Sequence, residues 1–138
     1  MDEQMEHCVL RRLNGGQKKT VTHILYADWK QDRSVPNSPA NFIQFIHNVE
    51  QLATEGSNSG PVVLHCLDGA KMCGLFSVVS TLLQKIEIDH EVRVVNTVRK
   101  VKVGRHGAIS TQEQFDFCHE CVLQYIHSFG IYSNIAVS

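Results

Sequence analysis

The stretch Pro61-Val62-Val63-Leu64-His65 constrains the fold more than any other part of this chain, because a short, unbroken apolar run predicts a strand buried on both faces. It runs directly into Cys66-Leu67-Asp68-Gly69-Ala70-Lys71-Met72-Cys73-Gly74, read as a tight loop. Leu75, Val78, Val79, Leu82, Leu83 and Ile86 then recur at the spacing of one helix face. Strand, loop and helix in that order predict an α/β fold. They also place the Cys66 sulfur where backbone N–H groups and a helix dipole converge, which lowers a thiol's pKa and attracts anions. The plainer alternative is that Cys66 is a small buried hydrophobe.

The flanking elements follow from local pattern. Strands are predicted at Cys8 to Leu13 and at Thr20 to Tyr26, around the turn-like Asn14-Gly15-Gly16. Trp29 to Asn37 is a polar loop, in which Trp29 and Tyr26 read as anchors. Ser38-Pro39 starts a helix whose face is Phe42, Phe45, Ile46, Val49, Leu52 and Ala53, ending near Glu55-Gly56 before a linker at 57–60. Glu91 to Val103 has the valine content of a strand, but Val92, Val95, Val98 and Val101 fit one helix side, and helix is predicted. Thr111-Gln112-Glu113-Gln114 is a capping box, and Phe115, Cys118, Val122, Tyr125, Ile126 and Phe129 face inward from the helix it opens.

Several function classes recede on composition. A length of 138 residues fits one domain or part of one, and 43% apolar with 20% charged residues is globular. A formal charge of −1 gives no basic field, so nucleic acid is not an expected partner. Met1 to His7 holds three acidic residues and no apolar segment, unlike a secretory signal. No apolar run approaches the ~18 residues of a membrane span, so no membrane insertion is expected of this segment. Five cysteines form an odd set without a scaffold pattern, which points to a reducing, cytoplasmic setting. Cys118-x-x-Cys121, with His119 and His127 nearby, reads as buried core cysteines, and neither a metal nor another cofactor is expected. The basic run Arg99 to His106 reads as a solvated helix end, with an acidic or phosphorylated partner as the alternative.

Val63 to Gly74 resembles the signature loop H-C-x-x-G-x-x-R-[S/T]-G of the classical protein tyrosine phosphatases. His23 to Trp29 resembles the block before that family's mobile W-P-D loop, Val35 to Ser38 the block after it, and Thr111 to Phe115 the glutamine loop. The resemblance spans about residues 8–129, leaving 130–138 as a tail of a single partial domain over 1–138. It is greatest to the second, membrane-distal and often inactive domain of receptor-type members. The part of the family domain that grips the phosphotyrosine ring lies before these blocks. The resemblance therefore implies the C-terminal half of a phosphatase-like fold, a mixed sheet flanked by helices.

Carried over residue by residue, the resemblance puts Cys66 at the nucleophile and His65 at the position that tunes its acidity. The phosphate-binding loop would be Cys66, Leu67, Asp68, Gly69, Ala70, Lys71, Met72 and Cys73. Met72 replaces the arginine that chelates phosphate, and a thioether supplies neither its charge nor its fork of donors. That loss alone would slow turnover on the order of a hundredfold to ten-thousandfold. Cys73 replaces a serine or threonine hydroxyl with a weaker donor. Asp32 takes the general-acid position in a loop one residue longer than W-P-D-x-G-V-P, and a misplaced acid forfeits another ~10²–10⁴. The plainer reading of Asp32 is a solvated loop carboxylate. Ser110 replaces the water-positioning glutamine, the second glutamine stays as Gln114, and Lys102 and Arg105 match the family's R-x-x-R.

The expected function is therefore a catalytically impaired phosphatase-like domain acting through a protein partner or an adjacent active phosphatase domain, with a phosphotyrosine protein as a further partner. The rivals are a weakly active Cys-dependent phosphatase and a thiol redox sensor built on Cys66 and Cys73.

Overall fold

The computed structural model describes residues 3–11, 18–55, 60–128 and 136–137. Strand β1 (Glu3–Arg11) pairs antiparallel with β2 (Lys18–Tyr26), in a register from Glu3 opposite Tyr26 to Arg11 opposite Lys18. Both predicted strands are present and start earlier than their patterns suggested. The turn at Asn14-Gly15-Gly16 lies outside the described residues. Helices α1 (Pro39–Glu55), α2 (Lys71–Asp89), α3 (Val94–Gly104) and α4 (Gln112–Ser128) follow. A short strand β3 (Glu91–Val92) precedes α3 and pairs in parallel with β4 (Ala136–Val137). No helix among the described residues is long and apolar enough to cross a membrane.

The core is built around α2. All six residues of its predicted face, from Leu75 to Ile86, are buried, and removing each such side chain from water contributes ~1.5–3 kcal/mol. Helix α1 closes one side through Phe42, whose ring meets Trp29, Phe76 and Phe117 at centroid distances of 6.0, 6.4 and 5.8 Å. The α1 stripe is shorter than its sequence pattern: Phe42, Ile43, Phe45 and Ile46 are buried, but Leu52 is exposed near the helix end. Helix α4 contributes Gln114, Phe117, Cys118, Cys121, Val122 and Tyr125, with Phe115 and Ile126 packed at the margin. Cys118 and Cys121 are thus core residues, as their place on the helix predicts.

Helix α3 corrects the sequence pattern by one position. Because Glu91-Val92 is held in a strand pair, the helix starts at Val94, and Val94, Thr97 and Val98 face inward while Val95 is exposed. The second correction is larger. Gly60 to His65 is in no helix and joins no strand ladder, and Val62, Val63 and Leu64 are exposed, Val63 by 81%. A strand buried on both faces needs a neighbour on each edge, whereas the four described strands pair among themselves. Residue 65 does approach β2, where the His65 and His23 rings stack with centroids 6.0 Å apart.

The start of α2 is fixed by a close approach. A methyl group on Gly74 would lie 2.5 Å from the Ala108 Cβ and 2.9 Å from its Cα, so the segment 105–109 rests directly on the first turn of the helix. Lys102 secures that segment by donating through Nζ to the carbonyls of His106, Ala108 and Ile109 at 3.1, 2.8 and 3.3 Å.

Candidate functional site

Cys66 follows the segment 60–65, and the chain then bends through Leu67 to Ala70 before α2 begins at Lys71. The helix therefore takes Lys71 to Gly74 out of the loop to which their sequence assigned them. Gly69 has φ +66°, a left-handed conformation that a side chain would strain. Asp68 organises the bend. Its Oδ1 accepts the backbone N–H groups of Ala70 at 2.9 Å and Lys71 at 3.0 Å, and lies 3.5 Å from the Cys66 sulfur. These contacts, the Ala70 N–H foremost, hold the exposed Asp68 carboxyl below its usual pKa range.

The Cys66 thiol is also shifted downward. Partial burial raises it, but this is outweighed by hydrogen bonds from the Cys73 backbone N–H, the Cys73 thiol and the N–H groups of Gly69 and Met72. Cys73 moves the other way, to about 12, through burial, its hydrogen bond to Cys66 and the negative charge of Cys66 and Asp68, against a smaller opposing effect from Arg105. The two thiols of this loop are thus shifted in opposite directions, Cys66 downward and Cys73 upward. Both border an open depression of about 370 Å³, together with Leu64, Gly69, Ser77 and Arg105. A larger depression of about 650 Å³ lies between the end of α2 and α3. It is bordered by ion pairs, Lys85 with Asp89 and Arg93 with Glu91, and no cysteine lines it.

The other predicted site residues divide into those brought to this loop and those left apart. Met72 is half-buried and packs against the core. Leu67 is 85% exposed, and His65 is exposed beside His23. Asp32 is exposed on the loop between the buried Trp29 and Pro36, where the Trp29 indole donates to the Arg33 carbonyl at 3.0 Å. The loop's flanks are tied down. Lys71 Nζ donates to the Gln31 carbonyl at 2.8 Å, which binds the Asp32 loop to the first turn of α2. Gln114 Nε2 donates to the Ser34 carbonyl at 3.1 Å, and the Ser34 hydroxyl donates to the Glu113 carboxylate.

Gln114 is fully buried and serves as a brace. Its Oε1 accepts the N–H groups of Ser110 at 2.9 Å and Thr111 at 3.3 Å, while its own N–H donates to Thr111 Oγ1 at 3.2 Å. This is the reciprocal capping box that the sequence predicts. Ser110 itself is exposed. The Asp68 clasp, the Lys71 tether and the Ser34–Glu113 contact were not anticipated. An Asp-Gly pair just ahead of a helix was the available signal for the first, since aspartate commonly accepts from backbone two residues on.

Chemically, the loop offers an activated thiol at a helix N-terminus. The N–H groups of residues 70 and 71, at the start of α2, already hold the Asp68 carboxylate. The Lys71 ammonium is engaged with Gln31.

The sequence profile of the family described as protein-tyrosine phosphatase matches residues 2–124. The chain is 31% identical over 119 residues to tyrosine-protein phosphatase Lar of Drosophila melanogaster, covering 86% of this chain and 6% of that protein. It is 30% identical to receptor-type tyrosine-protein phosphatase S of Gallus gallus, covering 86% and 8%, respectively. With tyrosine-protein phosphatase non-receptor type 2 of Rattus norvegicus the identity is 32%, over 83% of this chain and 27% of the relative. The chain thus spans a small part of the length of the relatives it matches. With the profile running from β1 to α4 and through the Cys66 loop, this chain belongs to the protein-tyrosine phosphatase family.

Proposed function

We propose that this chain is the C-terminal part of a catalytically impaired phosphatase-like domain, working through protein contacts as the regulatory second domain of a receptor-type phosphatase does, on the cytoplasmic side of a membrane. The observation that carries the reading is the Asp68 carboxylate seated on the N–H groups of Ala70 and Lys71. A phosphate dianion would have to displace it, and would meet its charge 3.5 Å from the attacking sulfur. Met72 offers no compensating cation, because its thioether packs on the core. The partner this reading calls for is an adjacent active phosphatase domain or another protein, including one that carries phosphotyrosine.

The lowered Cys66 pKa favours a second reading, a weakly active phosphatase that attacks through Cys66 with Asp32 as acid. Hydrolysis of an aryl phosphate separates the two. The first reading expects no Cys66-dependent turnover from the wild-type chain. It also expects that Asp68→Ala combined with Met72→Arg brings back binding of inorganic phosphate or vanadate before it brings back rate, since Cys73, Ser110 and the long acid loop still limit chemistry. Wild-type hydrolysis that Cys66→Ser abolishes would overturn it.

A further inference from the structure

We propose that the depression between the end of α2 and α3 is a docking surface for an acidic, extended segment of a partner protein. It has a volume of about 650 Å³ and is bordered by four cations, Lys85 of α2, Arg93 just before α3, and Arg99 and Lys100 within it, against two carboxylates, Asp89 and Glu91. Lys85 and Arg93 are engaged with those carboxylates. Arg99 and Lys100 are exposed and take part in no hydrogen bond or ion pair among the described residues. The surface therefore carries two positive charges in excess, although the whole chain has a formal charge of −1. Helix α3 also starts here with no side-chain cap and no acidic residue in its first turn, so its own side chains leave the positive end of its dipole uncompensated. Val101 and Arg105 border the separate depression at Cys66, so the proposal stands whether or not that loop turns over phosphate.

The layout of charge selects the occupant. Arg93, Asn96, Arg99 and Lys100 recur at the three- and four-residue spacing of one helix face, and a rise of 1.5 Å per residue sets the first and last about 10 Å apart along the axis. An extended chain covers that distance in about three residues. Two carboxylates on one short segment can thus engage both ends at once, with the exposed Asn96 amide between them to donate to the segment's backbone. A single phosphate group would reach only one end. A membrane surface or a polyphosphate, which needs a larger excess of positive charge, would meet the carboxylates of Asp89 and Glu91. Those carboxylates do not lock their partners, because both ion pairs are solvent-exposed and such pairs are weak. Arg93 pairs with Glu91 through Nε, which leaves its terminal nitrogens for a second acceptor.

The test is fluorescence anisotropy of the whole chain with a short fluorescein-labelled peptide in which glutamate alternates with serine. Binding is expected at low salt and should weaken as salt rises. Lys100→Glu should weaken it on the order of tenfold, and Arg99→Glu with Lys100→Glu should abolish it, with the far-ultraviolet circular dichroism unchanged because both positions are exposed. Arg99→Gln with Lys100→Gln removes the charges without reversing them, covers the case in which the doubly reversed chain fails to fold, and should itself lose about tenfold. Lys30→Glu, the same charge change as Lys100→Glu on the loop before α1, should leave binding within about twofold. Equal binding of a peptide with glutamine in place of glutamate, binding that survives both double variants, no binding at low salt, or binding confined to a phosphoserine peptide or to phosphatidylserine vesicles would each overturn the proposal.

Discussion

Replacing Gln114 with methionine tests whether one buried amide holds the acid loop, the glutamine loop and α4 together. Methionine nearly conserves volume, so the cavity contribution is small and the hydrogen bonds are isolated. Four side-chain bonds disappear: those from the N–H groups of Ser110 and Thr111, the long one from the Ser110 hydroxyl at 3.5 Å, and the one to the Ser34 carbonyl. At ~0.5–1.5 kcal/mol each the sum is ~2–6 kcal/mol. Ser110 and Thr111 are exposed enough for water to take over their N–H groups, which favours the lower part of that range. A loss of ~2–3 kcal/mol is large beside the 5–15 kcal/mol stability typical of a domain. Urea unfolding followed by tryptophan fluorescence is the assay, and Trp29 is the single tryptophan. With an m value of ~1–3 kcal/mol per molar, the midpoint should fall by roughly 1–2 M with unchanged slope. Amide exchange at residues 33–35 should quicken in parallel, because the Ser34 carbonyl has lost its anchor. A midpoint shift under ~0.3 M would refute the idea that Gln114 braces these loops.

Gly74→Ala should destabilise by ~1–3 kcal/mol in thermal unfolding, although alanine is the better helix former by ~1 kcal/mol, because the new methyl collides with Ala108. Alkylation by iodoacetamide should label Cys66 first across neutral to mildly alkaline pH. Cys73 and Cys118, both pushed up to about 12, should follow only after unfolding or at strongly alkaline pH. The Tyr125 phenol is raised by burial, then by its hydrogen bond to Glu87 and by that carboxylate's charge. A raised folded pKa means that its stabilisation is complete below the unfolded value near 10 and is lost as pH climbs above it. Ultraviolet titration should therefore show Tyr125 ionising together with alkaline unfolding. Val63→Lys, at a position 81% exposed, should change folding stability in urea unfolding by less than ~0.5 kcal/mol.

What the sequence disclosed follows from how local each feature is. The face of α2, the capping box at Thr111 and the burial of Cys118 and Cys121 are written in i, i+3 and i, i+4 spacing, and the structure keeps all of them. The lowered thiol at Cys66 was legible from a cysteine entering a helix N-terminus, although its donors were not. Pro61 to His65 failed because hydrophobicity states a demand for burial without saying whether neighbouring strands exist to meet it. Around α3 the reading held for Val92, Val98 and Val101 and failed for Val95 and for the helix start, because Glu91-Val92 is held in a strand pair with Ala136-Val137. Asp68, Lys71 and Gln114 could be named as site positions from resemblance. Their contacts with the first turn of α2, with Gln31 and with Ser34 depend on tertiary placement that no spacing rule encodes.

The packing of Phe42 against Phe117 sets an order on folding during synthesis. The β1–β2 hairpin closes from neighbouring residues and can form as soon as both strands have emerged. Helices α1 and α2 have no such independence, for their shared apolar face is completed by residues of α4, which is translated after both. Until then the nascent chain must carry the wide stripe from Leu75 to Ile86 uncovered, beside the exposed valines at 62 and 63. The interval between translation of Ile86 and that of Tyr125 is therefore when this chain most needs a holding chaperone. Slow codons within that interval should lower its soluble yield more than the same codons placed before Phe42.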